Sequence, residues 1–309
     1  MSRSEPRGNE LISRYKANYN IGATAQVTEE MILRHWNLEK QLRDELLSST
    51  PDNRWDIFED AYTRLYQELD WLNKLTDENE DSHSAQFSLW HSVIGEPPQR
   101  IYEIGSGKGE LITYLAEHGF NCKATEITKE RGEKWISTSG NLTWGSSDGI
   151  HLADFEPAAH YDIVLSNQVI EHMYPADVLT HFEHVFTLLK SGGRYILSTP
   201  HIADGPADVT RVFGHPEAMG MHLKEYTYGE LKSLLGQAGF KSTAVLRLPK
   251  AIRRTLNLKP ISSAFYLNYL ILLEKLLLSI SNHPLRVRTS KAAKGLLFTG
   301  HMLMTAQKP

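Results

Sequence analysis

Apolar residues recur along the chain with two different periods, and the change of period divides it into regions. Between Trp55 and Leu72 the large apolar side chains fall three or four residues apart, the spacing of an amphipathic helix. An earlier helix is predicted from Glu29 to Leu47, with Thr28 as its N-cap. The preceding residues, 1 to about 20, are polar, and we expect them to be loosely held.

Beyond about residue 98, short apolar runs alternate with helical patterns. Strands are predicted near residues 100–104, 123–125, 142–145, 161–166, 194–198, 242–248 and 301–306. Thr227 and Glu230 form a capping box for a helix that Gly239 closes. Alternating strands and helices indicate an α/β protein in which helices cover both faces of a mainly parallel sheet.

Composition excludes some classes of function. Hydrophobic residues make up 41% and charged residues 23%, as in soluble globular proteins, and the net charge of −4 argues against a general nucleic-acid binder. Cys122 is the single cysteine, so no internal disulfide and no Cys-based metal site can form. Met1–Pro6 shows no apolar core of a signal peptide, and we expect a cytoplasmic protein.

The most informative motif joins the first strand to the next helix. Gly105, Gly107 and Gly109 alternate just after Glu103, which lies near the strand's end. A dinucleotide fingerprint would place its third glycine at Glu110, where an anionic side chain would face the pyrophosphate. The loop therefore favours a ligand without phosphates that approaches the backbone closely, and Glu103 offers a negative charge for an ammonium group.

This motif, Glu-x-Gly-x-Gly-x-Gly after a strand, resembles the first motif of the class I S-adenosylmethionine (SAM) methyltransferases. Gly119–Glu126 resembles that family's second strand, which ends in the ribose-binding acid, here 19 residues past Gly107. Tyr161–His172 resembles the fourth strand with its turn, and Leu188–Pro200 resembles the double glycine and fifth strand. The resemblance covers about residues 98–248 and the last nine residues. It implies a three-layer Rossmann-like sheet whose last strand is antiparallel.

The resemblance also implies SAM as the cofactor and assigns its binding residues. They are Glu103, Gly105, Ser106 and Gly107 for the methionine end, Glu126 for the ribose, Asp148 for the adenine amine, and Asn167 with Gln168 beside the methionine moiety and the methyl group. Around Asp148 the chain departs by two residues from the family's usual Gly-Asp pairing. The alternative for Glu103 and Glu126 is a capping acid at a strand end.

Methyl transfer to a hydroxyl gains from a general base, and histidine titrates near neutral pH. Three histidines are placed where strand ends would meet the acceptor: His172, His201 and His222. We prefer His222, because Glu225 can orient its imidazole. For each of the three, the alternative is a hydrogen-bonded structural histidine. No spacing demands a His-Asp-Glu metal site, and none is predicted.

A basic insertion separates the last two strands. From Lys241 to the end there are twelve lysines and arginines but one acid, Glu274. The apolar centre, Ala264–Ile280, is shorter than the ~20 residues that cross a bilayer, and it contains Glu274 and Lys275. One interpretation is a helix buried in the core or in a homodimer contact. The other is a helix lying on an anionic membrane surface, which would make the protein membrane-associated.

The predicted organisation has four parts: an N-terminal helical cap over 1–85, a SAM-binding core over 86–248, the helical insertion over 249–300 and a final core strand over 301–309. Five aromatic residues of the cap either cover an acceptor pocket or pack on the core: Trp55, Phe58, Tyr62, Tyr66 and Trp71.

The sequence thus predicts a SAM-dependent methyltransferase that acts on oxygen of a small-molecule, sugar or lipid-like acceptor. Two other classes remain open. One is a protein of this fold that binds SAM as a partner or scaffold without turnover, which the acids at 103 and 126 do not exclude. The other is an NAD-linked oxidoreductase, which Glu110 disfavours.

Overall fold

The computed structural model describes residues 5–76, 80–246, 263–293 and 301–309. Five predicted stretches fall outside it: residues 1–4 and 77–79 of the predicted N-terminal cap, the end of the sixth strand at 247–248, and the two flanks of the insertion at 249–262 and 294–300.

Five helices precede the sheet in the described part of the chain. They are α1 (Gly8–Asn18), α2 (Glu29–Ser48), α3 (Arg54–Glu68), α4 (Asp70–Thr76) and α5 (Glu80–Ile94). Thr28 caps α2 as predicted, because its Oγ1 accepts the backbone N–H of Met31 at 3.2 Å. The predicted helix from Trp55 to Leu72 is interrupted at Leu69, where ψ is 17°. No glycine or proline marks that break, so the apolar spacing alone predicts one helix.

A seven-stranded sheet forms the centre of the protein. Its strands are β1 (Arg100–Ile104), β2 (Asn121–Glu126), β3 (Leu142–Ser146), β4 (Tyr161–Asn167), β5 (Leu189–Pro200), β6 (Ser242–Val245) and β7 (His301–Gln307). The spatial order is β3-β2-β1-β4-β5-β7-β6, and β7 runs antiparallel to both β5 and β6. The predicted Rossmann-like class with an antiparallel last strand is confirmed.

Helices cover both faces of the sheet. The remaining α-helices among the described residues are α6 (Glu110–Glu117), α7 (Lys129–Trp135), α8 (Val178–Leu188), α9 (Thr210–Phe213), α10 (Tyr228–Gln237), α11 (Ala264–Leu278) and α12 (His283–Ala293). In β4, Ile163 and Leu165 pack with residues of α5 and α6, whereas Val164 packs with α8, α10 and α11. This alternation follows the period of two in a strand. The capping box of Thr227 and Glu230 is also present.

Residues 8–18 are ordered, so the expectation of a loose N-terminal stretch is wrong for them. Leu11 and Tyr15 of α1 are completely buried. They lie four positions apart and therefore share one face of the helix. The hydroxyl of Tyr15 lies 2.7 Å from Nδ1 of His35 on α2. Two apolar anchors hold a helix whose other residues are mostly polar.

The N-terminal helices share a hydrophobic core with residues 209–223, far along the chain. Trp36 of α2 stacks on Phe213, with ring centroids 4.6 Å apart. A polar contact crosses the same boundary, because Glu39 accepts the backbone N–H of Met221 at 3.1 Å. The helical cap and the 209–223 segment are therefore one packing unit.

The centre of the insertion forms α11, whose inner face packs on the core through Leu267 and Leu270. Glu274 is buried on the same face. Its carboxylate accepts the backbone N–H groups of Tyr228 and Gly229, each at 2.8 Å. These N–H groups lie in the first turn of α10, where the helix itself supplies no acceptor and the helix dipole favours a negative charge.

Candidate active site

The loop after β1 turns through three glycines in the left-handed region. The φ angles of Gly105, Gly107 and Gly109 are 65°, 57° and 72°. A Cβ on Gly105 would lie 2.7 Å from a methyl carbon of Val169, and one on Gly109 would overlap the side chain of Ile136. Backbone angle and lack of space both require glycine there. The loop consequently offers its backbone to a ligand at close range.

Two side chains beside this loop each have a buried polar atom without a hydrogen-bond partner among the described residues. Glu103 is 3% exposed, and its Oε2 has no hydrogen-bond partner in the described part of the chain. The same holds for Oγ of Ser106. Both residues line one cavity, and unpaired buried groups of this kind are costly unless a ligand binds them. They are the groups predicted to hold the methionine end of SAM.

The raised pKa values of Glu103 and Glu126 indicate that a cationic ligand would stabilise their charged forms. Burial and the nearby charge of Glu126 raise the pKa of Glu103 to about 8, while a hydrogen bond from the Ile112 N–H acts in the opposite direction. Burial also raises the pKa of Glu126. A positive charge placed between the two would stabilise both carboxylates. SAM carries an ammonium and a sulfonium, so the residues present fit this cofactor.

We expect SAM binding to depend on pH through Glu103. Without ligand this acid is mostly protonated at pH 6, because its pKa is about 8, and the bound ammonium would favour the carboxylate. Binding should therefore release a proton, and SAM affinity should rise by up to about tenfold between pH 6 and pH 7. Calorimetry in buffers of different ionisation enthalpy measures that proton. Glu103→Gln should bind more weakly and without this pH dependence; an unchanged proton release in that variant would contradict the assignment.

Glu126 ends β2 and holds the glycine loop from the other side. Its Oε2 accepts the N–H of Gly107 at 2.8 Å, and its Oε1 accepts the N–H of Ile127 at 3.0 Å. The backbone N–H of Thr128 also acts on this carboxylate, but a carboxylate can accept about four hydrogen bonds, so acceptor capacity remains for the ribose. Glu126 lines the same cavity as Glu103.

Asp148, Asn167 and Gln168 also line this cavity. Gln168 has a φ of 59°, and such left-handed non-glycine residues concentrate at functional sites. Its amide donates to Oγ of Ser198 at 2.9 Å, and that hydroxyl donates to Oδ1 of Asn167 at 2.6 Å. Asp148 lies 2.6 Å from Nδ1 of His151 and accepts N–H groups of its own turn. The structure brings all eight predicted cofactor residues together, and their individual contacts with SAM stay predictions.

The cavity measures about 900 Å³ and extends from the glycine loop to the N-terminal helices. Four of the five predicted aromatic residues line it: Trp55, Phe58, Tyr62 and Tyr66. Trp71 instead stacks on Tyr15 in the N-terminal core, with ring centroids 6.2 Å apart. The aromatic helix face thus both packs on its neighbours and forms one wall of the cavity.

An ion pair in the cavity wall was missed by the sequence analysis. Arg54 donates from Nη1 to both carboxylate oxygens of Asp177, at 2.7 and 2.6 Å. Its guanidinium also lies 3.7 Å from the ring centroid of Tyr174. The pair ties α3 to the start of α8. No local pattern could reveal it, since its members lie 123 residues apart.

Among the predicted histidines, His172 lines the cavity, whereas His201 and His222 do not. Nδ1 of His172 lies 3.0 Å from the carbonyl oxygen of Met221 and therefore carries the proton, which leaves Nε2 as an acceptor. Burial, together with the charge of His222, lowers the pKa of His172 to about 3. Its ring is neutral and stands edge-on to Tyr62, with centroids 6.1 Å apart.

His222 lies beside His172, with ring centroids 4.8 Å apart. Glu225 orients it as predicted, through a contact of 2.8 Å to Nδ1. Burial acts to lower its pKa, but the hydrogen bond to Glu225 and the charges of Glu171 and Asp208 raise it to about 9. At neutral pH this imidazole is already protonated and cannot take a proton from an acceptor. The raised pKa therefore disfavours His222 as the base.

His201 is fully buried and away from the cavity lining. Its Nδ1 accepts the backbone N–H of Ala203 at 3.0 Å, and its Nε2 lies 3.0 Å from Glu274. These contacts fit the structural alternative, in which His201 supports the packing of α11.

Glu171 completes the polar group around His172. It is fully buried; one carboxylate oxygen accepts the hydroxyl of Thr199 at 2.9 Å, and the other has no partner among the described residues. Burial raises its pKa to about 7, against the effect of the charge on His222. The Glu-His pair is visible in the sequence, but the approach of His222 to it is not.

The sheet order and the acid-lined glycine loop define a class of protein, the SAM-dependent methyltransferases, whose cofactor is SAM. A family model described as a methyltransferase domain matches residues 48–245, well over half of the chain. The protein belongs to this family, and the resemblance noted in the sequence is confirmed. No sequence among curated proteins matches significantly.

Solved structures share the fold at low identity. A SAM-dependent methyltransferase from Archaeoglobus fulgidus is 18% identical, with a TM-score of 0.50 over 74% of this chain and 94% of that chain. The 1,6-didemethyltoxoflavin-N1-methyltransferase of Burkholderia thailandensis is 17% identical, with a TM-score of 0.49 over 84% and 91% of the two chains. At these identities, the comparison with the Archaeoglobus protein shows the fold alone.

Proposed function

We propose that this protein transfers the methyl group of SAM to an oxygen atom of a small acceptor: a small molecule, a sugar or a lipid-like compound. One observation carries the proposal. The cofactor cavity continues past Glu103 and Glu126 to a wall that combines aromatic side chains with the neutral, unprotonated Nε2 of His172.

The size and lining of the cavity support an acceptor beside the cofactor. Ligand pockets are typically ~300–1,000 Å³, so a cavity of about 900 Å³ has room for both molecules. Trp55, Phe58, Tyr62 and Tyr66 supply broad apolar surfaces. Such surfaces suit a ring or another largely apolar body that presents one polar group.

His172 gives this wall its chemistry. When bound, SAM supplies a methyl group on a sulfonium; the S–CH₃ bond breaks as the O–CH₃ bond forms, and the hydroxyl proton is released. Nε2 of His172 can accept the hydrogen bond of that hydroxyl and so direct its oxygen. Much of the rate can come from orientation, which is worth roughly 7–11 kcal/mol in well-aligned reactions.

The experiment is a transfer assay with methyl-tritiated SAM. We expect label in phenolic, sugar or lipid-linked hydroxyl compounds, or in a hydroxyl compound of a host-cell extract. Label found only in amines or thiols would contradict transfer to oxygen. Tight SAM binding without label in any acceptor or extract would favour the second candidate, a protein that binds SAM as a scaffold.

The outer face of α11 supports a further part of this proposal, a lipid surface as partner. Phe265 is 85% exposed, Leu272 58% and Leu276 60%, and Tyr269 is also exposed. The four follow one another at intervals of three or four residues, so they form one stripe along the helix. The homodimer alternative would cover the same stripe.

Charge favours an anionic lipid surface over a second copy of the chain. Lys275, Arg288 and Lys291 are exposed on α11 and α12, whereas Glu274, the only acid after residue 230, is buried on the inner face. Among the described residues, no helix is both long and apolar enough to span a bilayer. An apolar stripe with cations beside it is typical of a helix that lies in the interface.

We expect the protein to float with anionic liposomes at low salt and to dissociate from them at high salt. Each Lys or Arg near such a surface contributes ~1 kcal/mol, and salt screens this attraction. Lys275→Glu with Arg288→Glu should abolish flotation. Lys40→Glu with Lys129→Glu, which changes the charge equally elsewhere, should not. The lipid proposal would be overturned if the protein floated equally well with neutral liposomes. It would also be overturned if protein that binds SAM did not float with anionic liposomes at low salt.

A further inference from the structure

Glu171, His172 and His222 form a compact set of potential metal ligands. One ligand atom from each side chain lies within 4.8 Å of the other two. Glu171 and His222 are buried, and His172 lies in the cavity wall. Two imidazoles and one carboxylate are a donor set that binds divalent transition metals, and in catalytic sites it leaves a position open for water or substrate.

The outer contacts of the two histidines match those of metal ligands. A ligating histidine usually donates its other ring N–H to a carboxylate or a backbone carbonyl, which fixes the tautomer. Nδ1 of His222 lies 2.8 Å from the carboxylate of Glu225. Nδ1 of His172 lies 3.0 Å from the carbonyl of Met221. In His172, Nε2 is left as an acceptor for a metal ion; in His222, an ion would take the place of the Nε2 proton of the charged imidazole.

Glu171 adds an independent observation. The residue has no exposed surface, and Thr199 satisfies one carboxylate oxygen. The other oxygen, Oε1, has no hydrogen-bond partner within the described residues. A buried carboxylate oxygen without a partner is costly, and a cation bound to it would remove that cost.

We propose that Glu171, His172 and His222 bind one divalent transition-metal ion at the wall of the acceptor cavity. The inference rests on the proposed function, in which a hydroxyl must lose its proton. A bound cation lowers the pKa of an oxygen ligand, so the hydroxyl would give its proton to solvent on binding. Its oxygen then takes the methyl group as the S–CH₃ bond breaks, and S-adenosylhomocysteine leaves.

Zn²⁺ alone is the probe, and calorimetry on the chelator-treated full-length protein is the measurement. We expect one Zn²⁺ per chain, with and without SAM. Glu225→Gln, which weakens an outer contact, should reduce Zn²⁺ affinity by ~10–100-fold. Glu171→Gln keeps an acceptor for Thr199 but loses the ligand, and it should reduce the affinity further. His118→Gln, which removes an exposed histidine, should leave it unchanged.

SAM binding reports folding in every variant. Absence of stoichiometric Zn²⁺ binding by a SAM-competent wild type would overturn the metal site, as would equal affinity in Glu171→Gln and wild type. Undiminished methyl transfer in excess chelator would show that the ion has no part in the reaction. The proposed methyl transfer would then stand without the metal ion. Stoichiometric Zn²⁺ binding without transfer to any hydroxyl would instead count against the proposed function alone.

Discussion

Replacing His172 with alanine should lower kcat by ~10²–10⁴-fold and leave SAM affinity nearly unchanged. The residue lines the cavity through a neutral imidazole, and its described ring contacts are with Met221, Tyr62 and His222 rather than with a predicted cofactor residue. We expect kcat to fall in either case, with Nε2 in direct contact with the acceptor hydroxyl or with a bound cation between them. Single-turnover rates at saturating SAM, with SAM affinity from calorimetry, separate the two quantities.

His201→Asn is the matched control for this prediction. His201 contacts Glu274 and the Ala203 N–H inside the protein, so we expect its replacement to lower thermal stability. Turnover per folded molecule should remain near the wild-type value. Near-normal turnover in His172→Ala would show that His172 is a structural histidine. A comparable loss of kcat in both variants would show a non-specific effect on the fold.

Glu126→Ala should weaken SAM binding by ~10²-fold or more. Charge-assisted hydrogen bonds contribute ~1.5–3 kcal/mol each, and the family resemblance assigns this carboxylate to the ribose hydroxyls. Part of the loss would come from the loop itself, because Glu126 also accepts the N–H groups of Gly107 and Ile127. Calorimetric titration of wild type and variant with SAM gives the difference directly.

Two further variants separate these contributions. Glu126→Gln keeps one acceptor for the loop and loses the charge, so its affinity should fall between wild type and Glu126→Ala. Glu117→Ala removes an exposed acid on α6 and should bind SAM normally. Equal SAM affinity in wild type and Glu126→Ala would disprove the ribose assignment, as would tight binding of NAD to the wild type.

The cofactor half of the site was predictable because its signals are local. Glu103, Glu126 and Asn167 stand at or next to the carboxyl ends of neighbouring parallel strands, and such ends meet at one edge of a sheet. Short motifs place each acid within a few residues of its strand end. Once the strand order follows from the family resemblance, these side chains must converge.

The proposed acceptor half of the site was not predictable in the same way. The approach of His222 to His172 depends on how a long segment packs, and the protonation of each depends on burial and on distant carboxylates. The preference for His222 as the base used its neighbour Glu225 correctly. That same carboxylate helps to keep the imidazole charged, an effect that spacing in the sequence does not reveal.

The backbone of Met221 has a consequence for distant mutations. Its N–H is bound by Glu39 on α2, and its carbonyl oxygen accepts the Nδ1 proton of His172. His172 is thus oriented, through Met221, by Glu39 on α2. Glu39 precedes the region that matches the methyltransferase family model, which begins at residue 48. Under the proposed function, a substitution on α2 would therefore change turnover by rotating this imidazole, and a comparison limited to the shared domain would overlook its cause.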